Sequence, residues 1–182
     1  MTALAARTSN EAHLYMDLRP CGCGEGRFPR ASAILTLPDG ALARRYAGPC
    51  ERCGTTREFL FRLPAEPENG GGSFHYGSAE PSALIDAGEW LWVAEGHARG
   101  VPAGAERLPE ADRRRCRTRL TAAVAAVDEA LKFVPPGGSR VPFTAVWSPL
   151  GRSVYQREPG RFRTSRLTAV RSAYGTVLRR LG

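Results

Sequence analysis

Two short cysteine turns constrain this chain more than any other feature of its sequence. The first cysteine turn is "PCGCGEG" at residues 20–26, and the second cysteine turn is "PCERCG" at residues 49–54. Tetrahedral zinc takes four soft ligands, and one such turn supplies only two of them without strain. The two turns together therefore predict one four-cysteine metal site, which requires residues 20–54 to fold back on themselves.

The segments around the turns predict a small antiparallel sheet. Residues 13–19 alternate apolar and polar side chains, which is typical of a half-buried strand that runs into the first cysteine turn. Residues 30–37 and 41–47 flank Pro38-Asp39-Gly40, which suits a hairpin turn. A fourth strand is predicted in "TREFLFRLP" at residues 56–64, so each cysteine turn should lie at the tip between two strands.

This layout resembles the paired knuckles of zinc-ribbon and rubredoxin-like domains over about residues 13–63. The second cysteine turn is the better match, because one residue rather than two separates the cysteines of the first. The resemblance implies a bound Zn²⁺, and a closed set of four thiolates leaves no coordination position for a reacting water, so the metal would be structural. The expected ligands are Cys21, Cys23, Cys50 and Cys53.

Three alternatives to a four-cysteine zinc site remain open at this stage. The same ligands can hold iron or serve redox chemistry. The four side chains could be buried free cysteines, or His13 could replace one of them as a ligand. An ordinary surface role is favoured for His13, because it stands at the start of the predicted strand.

Beyond the sheet, the sequence predicts a linker and then helices. Residues 64–80 are rich in proline and glycine, which separates a zinc-ribbon module at 1–63 from a helical module at 81–182. Asp86 and Glu89 have capping-box spacing and predict a helix over 87–99. Pro109 is expected in the first turn of a long amphipathic helix, Ser148-Pro149 starts a short one through Tyr155, and an apolar stripe from Leu167 to Leu181 predicts the last. The fold class is therefore α+β.

The chain is basic, and its positive charge is concentrated in the last third. Its formal net charge is +8, while residues 111–182 carry 15 basic and four acidic side chains. Arginine-rich helices can bind phosphates, so a nucleic-acid-binding regulator is one hypothesis for the function. A solvated outer face, or ion pairs with the acidic middle of the chain, is the competing interpretation. The candidate nucleic-acid contacts are Arg113, Arg114, Arg115, Arg117, Arg163 and Arg166.

No motif of a known catalytic site is present, although an enzyme that uses Cys116 is a weaker hypothesis. Cys116 falls on the apolar stripe of its helix, which favours a core position. The preferred function is non-catalytic binding of a protein partner, with Trp90 or Trp92 as an anchor. The layout is loosely similar to small bacterial immunity or regulatory proteins. The reduced cysteines and the lack of a signal peptide lead us to expect a cytoplasmic protein.

Overall fold

The computed structural model describes residues 2–64 and 74–182, and these residues form two compact units. The N-terminal unit contains four strands and one helix, together with Tyr76–Ser78 and Ser82–Leu84. The C-terminal unit consists mainly of Ile85–Gly182 and contains four α-helices. The α+β class is confirmed, with the sheet in the N-terminal part and most helices after it. Most of the predicted linker, residues 65–73, lies outside the described residues.

The sheet of the N-terminal unit has the order β1-β4-β3-β2. Its strands are β1 (Leu4–Ala5), β2 (Ala31–Thr36), β3 (Leu42–Pro49) and β4 (Thr56–Arg62). The hairpin of β2 and β3 and the antiparallel pairing of β3 with β4 are as predicted. The two-residue β1 was not predicted, and it pairs parallel with β4, so the sheet is mixed rather than purely antiparallel.

The predicted strand at 13–19 is wrong, because this segment belongs to a helix, α1 (Ser9–Asp17). Thr8 caps the helix by accepting a hydrogen bond from the Glu11 amide at 3.1 Å. Ala12 and Met16 are buried four residues apart, which is helical spacing. In the sequence, the alternation of apolar residues at 14, 16 and 18 hid this helical spacing. The first cysteine turn therefore lies between α1 and β2, not between two strands.

Aromatic contacts hold α1 against one face of the sheet. The ring of Tyr15 meets those of Phe59 and Phe61 edge to face, at centroid distances of 6.3 and 5.9 Å. His13 meets Tyr46 in the same way at 5.2 Å. These contacts come from alternate residues of the strands, as expected for one face of a sheet. They fix the position of α1 on the sheet, and the first cysteine turn begins three residues after the helix ends.

The C-terminal unit is built from α2 (Ala87–Arg99), α3 (Glu110–Leu131), α4 (Pro149–Arg157) and α5 (Thr164–Arg180). The predicted helix at 87–99 is confirmed to the residue, and its capping box is present. The long helix begins one residue after Pro109, which serves as its N-cap. α3 packs against α2 and α5, and α2 also packs against α4. Buried alanines on α3, including Ala123 and Ala126, allow these close approaches.

Candidate metal centre

The four predicted cysteine ligands converge at one point of the N-terminal unit. Every pair of their sulfur atoms lies within 4.8 Å, and all five cysteines of the chain are free thiols. The sulfurs of Cys21 and Cys53 are 3.5 Å apart, and those of Cys23 and Cys50 are 3.6 Å apart. Four sulfurs about 2.3 Å from a tetrahedral zinc ion lie roughly 3.8 Å from each other. The donor set and its spacing therefore fit one Zn²⁺ or a similar soft cation.

Each cysteine turn closes on itself through backbone hydrogen bonds. In the second turn, the Gly54 amide donates to the Cys50 carbonyl at 2.9 Å, and in the first, the Gly24 amide donates to the Cys21 carbonyl at 2.7 Å. Both glycines have positive φ values, 71° and 88°, which side chains with a Cβ rarely adopt. The short Cys21-Gly22-Cys23 spacing thus still produces a turn that aims two sulfurs at the same point.

Polar contacts fasten the two cysteine turns to one another. The Glu51 amide donates to the Arg27 carbonyl at 3.3 Å, and the Arg52 guanidinium donates to the Cys23 carbonyl at 3.1 Å. The guanidinium of Arg27 also forms an ion pair with Glu51 at 3.5 Å. These contacts come from the second cysteine turn and from Cys23 and Arg27 in and just after the first. They hold the turns in the relative position that brings the four sulfurs together.

Arg57 is the residue of this site that sequence reasoning missed. It is only 6% exposed, and its guanidinium donates to the carbonyls of Gly26 at 2.6 Å and Met16 at 3.2 Å, and also to that of Arg19. It also lies over the ring of Phe28, 4.3 Å from the centroid. The alternation of β4 could have predicted this burial, because Arg57 lies on the same face of the strand as Phe59 and Phe61, which face inward. Arg57 ties the end of α1 to the end of the first cysteine turn.

The free thiols of the cluster differ in acidity. Hydrogen bonding with the hydroxyl and with the amide of Thr55 lowers the pKa of Cys53 to about 6. For Cys23, the Glu25 amide acts to lower the pKa, but desolvation and hydrogen bonds with the other three thiols outweigh it and raise the pKa to about 11. A thiolate is the form that binds a metal ion, and a bound cation favours that form at every ligand.

The alternatives for this site are resolved in part by the geometry. His13 lies outside the cluster, and its Nε2 atom is 3.2 Å from the Tyr46 hydroxyl. Burial and the nearby Arg30 lower the pKa of His13, in keeping with a neutral ring against the sheet. Cys53 is exposed and Cys21 and Cys23 are half-buried, so a set of buried structural thiols does not describe them. Cys116 is buried in the C-terminal unit beside Leu120 and Leu181, which confirms its core position.

The arginine run at the start of α3 is largely occupied by local ion pairs. The guanidinium nitrogens of Arg113 and Arg117 each lie 2.6 Å from a Glu110 oxygen, and Arg115 lies 3.4 Å from Asp112. Arg117 also donates to the Leu181 carbonyl at 2.8 Å. Among the described residues, no carboxylate lies within ion-pair distance of the other three candidates, which are Arg114, Arg163 and Arg166. Nucleic-acid binding stays a prediction.

The two candidate tryptophan anchors on α2 have different environments. Trp90 is fully buried, while Trp92 is 46% exposed. Three further aromatic side chains of the C-terminal unit are also exposed, Phe143 at 50% and Phe74 and Trp147 at 39% each. Of the two predicted anchors, only Trp92 presents its ring at the surface.

Two further findings concern membrane-spanning helices and similarity to known proteins. No helix in residues 2–64 and 74–182 combines the length and apolar character needed to cross a lipid bilayer. No known family model, curated protein or solved structure matches this chain.

Proposed function

We propose that this protein binds one Zn²⁺ to stabilise its N-terminal unit, and that it acts without catalysis by binding a protein partner. The convergence of Cys21, Cys23, Cys50 and Cys53 within 4.8 Å carries the proposal. Four sulfur ligands complete the tetrahedron of zinc, so water has no open position at which to be activated. Zinc would supply the charge that holds four thiolates together and would link α1, β2, β3 and β4 through their cysteine turns.

Protein binding is supported by the aromatic side chains that the C-terminal unit exposes. Aromatic residues are enriched at protein interfaces, where they bury a large area and lose little conformational freedom. Trp92 is the more exposed of the two surface tryptophans and projects from a helix whose opposite side, with Trp90, is buried in the core. We therefore assign Trp92 as the anchor of an interaction, in which the protein regulates or inhibits its partner in the manner of a bacterial immunity protein.

The metal assignment is tested by the substitution Cys50→Ser, with Cys116→Ser as the control. Cys50 is the buried ligand, and its loss should remove the metal and unfold the N-terminal unit, because structural zinc contributes about 10 kcal/mol to such small modules. Elemental analysis should find one zinc per wild-type chain and per Cys116→Ser chain, and close to none in Cys50→Ser. Iron in place of zinc, or Cys50→Ser protein that keeps its metal, would contradict the assignment.

Partner binding is tested by the substitution Trp92→Ala. Tagged protein expressed at native level should retain one stoichiometric partner, and Trp92→Ala should weaken that complex about tenfold or more, because tryptophan is a frequent interface hot spot. The thermal stability should change little, since the ring is half exposed. Leu42→Ala removes a side chain that is 50% exposed on the other unit and should leave the complex intact. No stoichiometric partner, or equal loss in both variants, would contradict the proposal.

A further inference from the structure

Strand β2 forms an outer edge of the sheet and is exposed along its whole length. Its position at the end of the order β1-β4-β3-β2 leaves one side of the strand without a partner strand among the residues that the structure describes. All six residues are exposed, with Ile34 at 50% and Leu35 at 40%. Edge strands are commonly protected by charged residues, prolines or bulges, because an open edge is a template for another strand. Ala31–Thr36 contains no charged residue and no proline, and it pairs with β3 in unbroken register.

The hydrogen bonds of the hairpin identify the backbone groups of β2 that face outward. The Leu37 amide donates to the Ala41 carbonyl at 2.8 Å. Since bonded and non-bonded pairs alternate along an antiparallel ladder, Leu35 and Ala33 also direct their backbone groups toward β3. On the other side of β3, the Leu63 amide donates to the Leu42 carbonyl, so the backbone groups of Leu42 point toward β4. Thr36, which lies opposite Leu42 on β2, is therefore a non-bonded position of the β2–β3 ladder. The N–H and C=O groups of Ser32, Ile34 and Thr36 therefore point away from the sheet.

We propose that β2 pairs antiparallel with β2 of a second copy of this chain, on a two-fold axis that passes through Ile34. In an antiparallel pair, residues that lie directly opposite each other have their side chains on the same face of the sheet. A two-fold axis perpendicular to the sheet and midway between the two Ile34 residues meets this condition. Ile34 then faces its own counterpart, and the two residues exchange both outward backbone hydrogen bonds. On the other face Ala33 lies opposite Leu35, so that a small side chain meets a large one.

The ends of β2 carry charges that favour this antiparallel arrangement with a second copy. Arg30 directly precedes the strand, and Asp39 lies in the turn that follows it. The register brings the start of one β2 beside the end of the other, so Arg30 of each copy, which also pairs with Asp17 of its own chain, approaches Asp39 of the other copy. The Asp39 carboxylate is 54% exposed even though it pairs with Arg62, so it is open to a second cation. A parallel pairing would instead place like charges together.

The resulting dimer is expected to be reversible. Two six-residue strands form a small contact, below the roughly 1,200 to 2,000 Å² that stable specific interfaces bury. Pairing joins two four-stranded sheets into one continuous sheet across the axis. The dimer is independent of the proposed partner binding through Trp92, and either can fail without the other.

Charge variants at Ile34 test both the dimer and its register in sedimentation equilibrium of the full chain. Wild-type protein should shift from monomer to dimer as its concentration rises. Ile34→Lys and Ile34→Asp, each measured alone, should stay monomeric, because like charges then face each other at the axis. An equimolar mixture of the two variants should recover the dimer. Leu42→Lys is the control, because Leu42 is equally exposed but lies on β3 and should leave the dimer unchanged.

Several results would overturn the proposal. Wild-type protein that remains monomeric up to about 1 mM would remove the dimer, since binding weaker than this is negligible. Undiminished dimer in Ile34→Lys would show that another surface associates. A mixture that stays monomeric would refute the axis at Ile34. Circular dichroism of each variant verifies folding, and Ile34→Thr, which keeps a branched strand residue, should weaken the dimer at least tenfold if a charged variant fails to fold.

Discussion

Arg57 is a buried charge that organises the candidate metal site from outside the cysteine cluster. Its guanidinium donates to carbonyl groups at the end of α1 and at the end of the first cysteine turn. A helix end leaves its last carbonyls without a full set of helical partners, and the Met16 carbonyl accepts from Arg57 in addition to the Arg19 amide. Arginine suits this role, since its planar group carries several donors in fixed directions. The residue therefore positions the first pair of ligands relative to β4, which leads out of the second pair.

The substitution Arg57→Met should destabilise the N-terminal unit by about 3 kcal/mol, because hydrogen bonds to a charged group contribute more than neutral ones and their loss leaves buried carbonyls unpaired. Methionine keeps the length and the apolar stem of the side chain. Chemical denaturation measures the change, and a competing chelator should also extract the metal faster from the variant. Arg45→Met is the matched control on β3, where Arg45 forms a solvent-exposed pair with Glu58 at 2.7 Å that contributes little to stability. Equal effects of the two substitutions would contradict the role of Arg57.

At the scale of elements, Asp86 joins the starts of two helices in the C-terminal unit. Its Oδ1 atom accepts the hydrogen bond from the Glu89 amide at 2.8 Å that caps α2. Its Oδ2 atom accepts hydrogen bonds from the amides of Trp147 and Ser148, at 2.9 and 2.6 Å, just before α4. A single fully buried carboxylate thus satisfies amides from two elements that are distant in sequence. This geometry requires the two helix starts to come very close together.

Gly151 permits this approach, and Gly151→Ala should destabilise the C-terminal unit by about 3 kcal/mol or more through overpacking. A Cβ atom at this position would lie 2.1 Å from Asp86 Oδ1. Gly96→Ala is the matched control, because Gly96 is also helical and no atom lies within 4 Å of its added Cβ. That substitution should instead stabilise the unit by up to about 1 kcal/mol, since alanine favours helices over glycine. Thermal unfolding followed at 222 nm distinguishes the two outcomes, and a tolerated Gly151→Ala would show that the helix starts can separate.

At the scale of the whole molecule, the metal site and the helical core belong to different units. All four ligands lie in the N-terminal unit. The C-terminal unit has its own buried residues on α2, α3 and α5, among them Trp90, Val127 and Leu167. None of the four predicted ligands therefore lies among the core residues of α2, α3 and α5.

Removal of the metal from the intact chain should melt the N-terminal unit and leave the C-terminal helices folded. A strong chelator should abolish protection from hydrogen exchange in β2, β3 and β4, because a small sheet buries too little apolar surface to fold without its metal. Protection in α2 and α3 should persist, and added Zn²⁺ should restore the strands. Loss of protection in both units together would show that they unfold as one.

The sequence alone determined those features that depend on neighbouring residues. The spacing of the cysteines predicted a converging ligand set, and the capping box at Asp86 and the turn at Pro38-Asp39-Gly40 placed a helix and a hairpin. The cap and the hairpin turn are local signals, because their chemistry is completed within a few residues, whereas the four cysteines predict a contact between two turns through the ligand number of the metal. The α+β class followed from them.

Only the tertiary structure decided the features that depend on distant contacts. Residues 13–17 fit a strand period, but they continue a helix that starts at the local cap of Thr8, and packing on the aromatic face of the sheet holds them in that helix. The burial of Arg57 and the double role of Asp86 join segments up to 62 residues apart, and no local pattern records such contacts. The same holds for β2, whose exposure depends on its place in the strand order rather than on its own residues.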